Sequence, residues 1–137
     1  MTEPFTESNK KCILAVDDAA FILSRIEDVL GKHYDVIAMS SGARAMKYLK
    51  ENKPDLILLD IRMPVRDGFD ILRDIRTMEE RADIPVIMLT AMEDKQSVMK
   101  CIELGIHDYV LKPFEPDDLL VRVRRILAPG ESDHEQL

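Results

Sequence analysis

Five short apolar runs dominate the chain: Cys12 to Val16, Val36 to Met39, Leu56 to Leu59, Val86 to Leu89 and Tyr109 to Leu111. Several are rich in Val, Ile and Leu, and their apolarity is continuous rather than alternating. That pattern implies strands buried on both faces, as in a parallel sheet covered by helices. Helical periodicities fill the spaces between them. Ile22, Ile26, Val29 and Leu30 make one stripe, Ala43, Met46 and Leu49 a second, and Ile71, Leu72, Ile75 and Met78 a third. Val98, Cys101 and Ile102 give a fourth, and Leu119, Leu120, Val123, Ile126 and Leu127 a fifth. Gly31, Gly105, Pro54 and Pro85 punctuate the boundaries, while Asp117 and Asp118 open the last helix and Arg124 and Arg125 close it. Strand followed by helix, repeated five times, predicts an α/β fold: a doubly wound five-stranded parallel sheet with helices on both faces.

The length of 137 residues is that of about one domain. The expected division is a polar tail at 1–10, a domain at 11–128 and a second polar tail at 129–137, where Pro129 and Gly130 follow the last apolar position. With 46% hydrophobic and 33% charged residues, the composition can bury a core and excludes long disorder. The formal charge of -7 disfavours direct binding to nucleic acid, because phosphate contacts need clustered cations. No apolar run approaches the ~20 residues that span a bilayer. The opening MTEPFTESNKK lacks the basic-then-apolar order of a signal peptide, so no membrane association and a cytoplasmic location are expected. Cys12 and Cys101 each sit in an apolar run and are expected to be buried thiols rather than a disulfide.

In an open parallel sheet, ligands bind beyond the carboxyl ends of the strands, so the residues that follow each apolar run are informative. Asp17 and Asp18 follow the first run, Asp60 the third, Thr90 the fourth and Lys112 the fifth. Carboxylates converging there repel one another, by about 3 kcal/mol for a pair ~5 Å apart at an effective dielectric of ~20. A cation is needed among them. Oxygen ligands suit Mg2+, or Mn2+, better than zinc, and Lys112 adds a fixed positive charge. A carboxylate beside a divalent cation, an ammonium and a hydroxyl is arranged to meet a phosphoryl group. The chemistry indicated is phosphoryl transfer to an aspartate.

These residues resemble the receiver domain of two-component response regulators. The resemblance is carried by VDD at 16–18, LLDIRMPVRDG at 58–68, PVIMLTA at 85–91 and DYVLKPF at 108–114, and covers roughly residues 10 to 128. It implies the flavodoxin-like strand order 2-1-3-4-5, for which the chemotaxis member of this family is a standard example. It further implies that Asp60 is the phospho-acceptor, that Asp18 binds Mg2+ directly and Asp17 largely through water, and that the backbone carbonyl of Arg62 completes the protein ligands. By the same resemblance Lys112 pairs with the phosphoryl oxygens, a cis bond at Pro113 turns it inward, and Thr90 moves toward the new phosphate while Tyr109 rotates. The surface of the fourth helix, fifth strand and fifth helix would change as a result. Implied partners are a histidine kinase or phosphotransfer protein and a downstream effector, with a homodimer as a further possibility.

Simpler roles stand beside these. Asp17 and Asp18 would also serve as a turn and helix cap, and Thr90 as a strand-end hydroxyl. Met63, Pro64, Asp67 and Gly68 shape the loop after Asp60, with Gly68 expected at an unusual backbone angle. His33, His107 and His134 read as surface residues, and Arg44, Lys47, Lys50 and Lys53 as a solvated basic face. Arg62 sits beside the approach to Asp60, where its bulk and charge bear on how water removes a phosphate. The expected function is therefore a stand-alone receiver that acts as a switch and not as an enzyme. Its rivals are a receiver-like scaffold that is never phosphorylated and an aspartyl-nucleophile phosphatase. The phosphatase usually places a second acid two residues after its nucleophile, and Arg62 occupies that position. A flavin site is disfavoured, since Asp17 and Asp18 would repel its phosphate.

Overall fold

A computed structural model describes residues 10–91 and 95–128, so the expected tails, apart from Lys10, and His134 lie outside the described residues. Strands and helices alternate: β1 (Cys12–Val16), α1 (Ala20–Leu30), β2 (Asp35–Met39), α2 (Gly42–Glu51), β3 (Leu56–Asp60), α3 (Gly68–Thr77), β4 (Val86–Ala91), α4 (Lys95–Glu103), β5 (Asp108–Lys112) and α5 (Pro116–Leu127). All strand pairs are parallel and the sheet order is β2-β1-β3-β4-β5. The chain reverses direction across the sheet after β2, which leaves a crevice above the carboxyl ends of β1 and β3.

Successive side chains of a strand point to opposite faces, and the two faces bury separate cores. Leu14, Val16, Ile57, Leu59, Val86 and Met88 pack with Ala45 and Leu49 of α2, Ile71, Leu72 and Ile75 of α3, and Val98 and Cys101 of α4. On the opposite face Ile13, Ala15, Leu58, Ile87, Leu89 and Val110 pack with Leu23, Ile26 and Leu30 of α1 and Leu119 and Val123 of α5. Burying such an aliphatic side chain contributes roughly 1.5–3 kcal/mol, enough to hold the register that aligns the strand ends. Among the described residues no helix is long and apolar enough to cross a membrane.

Local chemistry sets the helix ends. The side chain of Ser41 accepts the Arg44 N–H to cap α2, and that of Asp67 accepts the Asp70 N–H to cap α3. In α5 Pro116 occupies the first turn, followed by Asp117 and Asp118, and Arg124 and Arg125 lie in the last turn, matching the helix dipole. Arg76 near the end of α3 joins three segments. Its Nε donates to Leu104 O at 3.0 Å, its Nη2 to Gly105 O at 2.7 Å, and its Nη1 to Ala82 O and Ile84 O at 2.9 and 3.2 Å.

Several sequence expectations need correction. Burial on both faces holds for the central strands β1, β3 and β4, whereas the edge strands β2 and β5 are partly exposed. Cys12 starts β1 and is only half-buried, its Sγ 3.8 Å from the Tyr48 hydroxyl; Cys101 is fully buried. In α2 the buried face runs through Gly42, Ala45 and Leu49, leaving Ala43 exposed. Ile102 is 47% exposed, because α4 turns it away from the sheet.

Gly68 is needed for a different reason from the one expected. Its backbone angle is not left-handed; in the loop that precedes it the positive φ, 70°, belongs to Val65. A Cβ at Gly68 would instead lie 2.1 Å from the Asp60 carbonyl oxygen and 2.9 Å from Ile61 Cα. The Gly68 N–H donates to Ile61 O at 2.7 Å, so helix and strand backbones meet directly. No flexible side chain can yield there, and Gly68→Ala should cost about 3 kcal/mol or more. Urea denaturation of the two proteins checks this; an unchanged midpoint would show that the backbone tolerates the methyl group.

Candidate functional site

The ends of β1, β3 and β5 bring charged side chains into the crevice. Asp17 is 0% exposed and Asp60 3% exposed, while Asp18 next to Asp17 is open to solvent. One oxygen from each of Asp17, Asp18 and Asp60 lies within 4.8 Å of the others. Lys112, the last residue of β5, reaches inward, with Nζ 2.7 Å from Asp17 Oδ2 and 3.0 Å from Asp60 Oδ1. The peptide bond between Lys112 and Pro113 is cis, as the resemblance implied. Asp60 Oδ1 also accepts the Arg62 N–H at 3.2 Å, and Asp17 Oδ1 the Ala19 N–H at 2.9 Å. The second bond fulfils the expected turn role for Asp17 while its other oxygen faces the pocket.

Asp17 Oδ2 is buried and, despite its closeness to the ammonium, has no aligned hydrogen-bond partner among the described residues. An all-oxygen donor set with an under-satisfied carboxylate fits a hard divalent cation, whose preferred ligands are carboxylates, carbonyls and water.

Burial pushes the Asp60 carboxyl up to about 6; the Lys112 hydrogen bond opposes this, and the nearby Asp17 charge reinforces it. For Lys112, burial works against the charged form, but ion pairing with Asp17 and Asp60 outweighs it and holds the ammonium above its ordinary value.

The two remaining sequence candidates sit differently. Thr90 is buried at the end of β4 and its hydroxyl donates to Ala91 O at 3.1 Å. Tyr109 is 41% exposed on the edge strand. With Ala91, Lys95, Val98, Met99, Ile102 and Leu111 it lines a largely apolar groove of about 450 Å³ between α4 and β5. Arg62 is exposed beside the pocket.

The structure adds a residue that the sequence did not single out. Arg25 of α1 donates from Nη2 to Phe114 O at 3.3 Å, and its guanidinium lies 5.2 Å from the Phe114 ring centroid and 5.9 Å from that of Phe21. Its signal was positional: it stands in the stripe that contains Ile22, Ile26 and Val29, where a cation is out of place.

The raised Asp60 pKa sets a pH dependence. A carboxyl near 3.9 when unfolded and about 6 when folded favours the native state while protonated, so this stabilisation is lost as pH rises from about 4 through 6. In magnesium-free buffer Asp60→Asn should therefore be more stable than the parent at pH 7.5, by about 1–3 kcal/mol, with the gap closing toward pH 4. Parallel thermal melts across pH test this, and identical pH profiles would contradict it.

The response regulator receiver domain family matches residues 13–124. Among curated relatives, Protein CcdB of Bacillus subtilis (strain 168) is 40% identical over 85% of this chain and 97% of its own length. The alkaline phosphatase synthesis transcriptional regulatory protein PhoP of the same organism is 39% identical over 90% of this chain. The chain spans about half the length of the transcriptional regulators it matches, 50% for PhoP. Among solved structures, the receiver domain of sensor histidine kinase PA1611 from Pseudomonas aeruginosa PAO1 carries a magnesium ion coordinated in its active site cleft. It superposes with a TM-score of 0.79 at 32% identity, covering 86% of this chain and 98% of that one. With the strand order, the acidic crevice and the inward lysine, these similarities place the chain in the response regulator receiver domain family.

Proposed function

We propose that this chain is a phosphorylation-controlled switch in which Asp60 accepts a phosphoryl group from the phosphohistidine of a histidine kinase or phosphotransfer protein. A carboxylate oxygen of Asp60 forms the new O–P bond as the N–P bond breaks, and the electron pair leaves on the imidazole nitrogen. Asp60 becomes an acyl phosphate. The observation that carries this reading is the single Lys112 ammonium bridging Asp17 and Asp60 inside an all-oxygen acidic crevice.

Asp17, Asp18, Asp60 and the backbone carbonyl of Arg62 would hold Mg2+, or Mn2+, which when bound offsets charge on phosphoryl oxygens. The magnesium in the similar PA1611 receiver supports that assignment. Lys112 holds a fixed positive charge toward the transferred group without needing to reorganise. Thr90 exchanges its bond to the Ala91 carbonyl for one to the new phosphate, a contact made in only one of the two states. Tyr109 turns toward the space this opens, and the groove it lines with α4 changes shape. That face of α4, β5 and α5 would meet an effector protein or a second copy of the chain. The phosphorelay reading places this exchange in the cytoplasm.

Incubation with acetyl phosphate and Mg2+ should add one phosphoryl group by intact mass, and neither EDTA-treated protein nor Asp60→Asn should gain it. Lys112→Ala should slow the reaction by about 10²-fold. Thr90→Val should keep the mass gain while losing the NMR shifts in α4 and β5 that accompany it. A parent protein that gains no mass would favour the unphosphorylated scaffold, and sustained turnover of p-nitrophenyl phosphate would favour the phosphatase.

A further inference from the structure

We propose that Arg25 is a positioning residue for phosphoryl acceptance: it clamps the segment following Lys112 and so holds the Lys112 ammonium between Asp17 and Asp60. The inference rests on the reading of Asp60 as acceptor and adds a residue to the machinery that serves it.

Lys112 is a poor anchor for its own charge. Its four-carbon stem is flexible, and it ends an edge strand that pairs only with β4. The next residue, Pro113, has no N–H to donate. Phe114 follows, its ring 5% exposed and packed in the core beneath α1 and α5. Arg25 fixes this residue twice, through the hydrogen bond to its carbonyl and through the guanidinium lying over its ring. A cation over an aromatic face contributes about 0.5–1 kcal/mol at a partly exposed site.

A second observation points the same way. Phe21 is 69% exposed, an unusual state for a large aromatic side chain on a helix of this sheet. It stands one turn before Arg25 on α1, with its ring 5.9 Å from the guanidinium. The guanidinium thus lies within cation–π distance of both the exposed Phe21 ring and the buried Phe114 ring. Among the described residues no carboxylate pairs with Arg25, so its charge is directed to the two rings and the carbonyl. Arginine suits this place because its planar fork stacks and donates at once, which lysine cannot do. The clamp links the middle of α1, the helix that follows Asp17 and Asp18, to the residues just beyond Lys112. It thereby ties together two sides of the pocket through contacts separate from the Lys112 ion pairs.

The test is a double-mutant cycle of acetyl phosphate-dependent phosphorylation in the full chain with Mg2+, together with NMR of the lysine ammonium groups in the phosphate-free protein. Arg25→Met, which keeps the apolar stem, should slow phosphorylation roughly tenfold, since small misplacements of a charged group near reacting atoms cost up to about 10²-fold. In a Lys112→Ala background the same substitution should have no further effect on rate. The Lys112 ammonium signal should move toward that of a solvent-exposed lysine in Arg25→Met, and by a smaller amount in Phe21→Ala and Arg25→Lys, which also serve if Arg25→Met does not fold. A purely structural role would lower the melting temperature and leave both rate and signal unchanged, which overturns the proposal. Equal slowing in both backgrounds overturns it as well. If the parent protein takes up no phosphoryl group, the phospho-acceptor reading falls, and the ammonium signal still decides whether Arg25 positions Lys112.

Discussion

Two buried carboxylates and one ammonium hold the centre of this molecule in electrostatic balance. Asp17 and Asp60 come from adjacent strands and, buried as they are, would repel strongly. Lys112 lies within 3.0 Å of both, and its charge makes their convergence tolerable. The balance is incomplete. Asp60 retains a proton affinity well above that of an ordinary carboxyl, and one oxygen of Asp17 has no aligned donor. Replacing a buried ion cluster with apolar residues often stabilises a protein, so such a cluster is better explained by chemistry than by stability.

The rest of the fold serves that balance. Parallel strands in register bring their carboxyl ends to one edge, and the two cores fix how far each strand extends. The loop after Asp60 returns against its own strand, and only glycine at position 68 permits the contact. Phosphorylation would act on a pocket that is already under electrostatic tension, so added charge need shift only a small free-energy difference to alter the surface beyond it.

Much of this was legible in the sequence. The five apolar runs marked the strands to within two residues, because buried strands need continuous apolarity, and the polar residues closing four of them lie at the carboxyl edge of the sheet. Less legible was whatever depended on position within the sheet. Val36 to Met39 and Tyr109 to Leu111 are as apolar as the central runs, yet they form edges with one open side. In α2, Ala43 and Ala45 are the same residue type, and only the helix phase set by packing decides which is buried. The role of Gly68 was obscure because close backbone approach leaves no pattern in composition. Arg25 and Arg76 were missed because their partners lie up to 89 and 29 residues away, beyond any local periodicity.

The Arg76 guanidinium carries a mechanical consequence for α4. By holding Leu104 O and Gly105 O, it anchors the residues just past the carboxyl end of that helix to α3 and to the approach to β4. Nine residues of helix make a rod of about 13 Å. With that end held, a tilt of about 10° would leave it in place and carry the Lys95 end roughly 2 Å sideways. The Lys95 end of that lever borders the strand that carries Thr90, so under the proposed switch α4 would amplify small movements at the crevice.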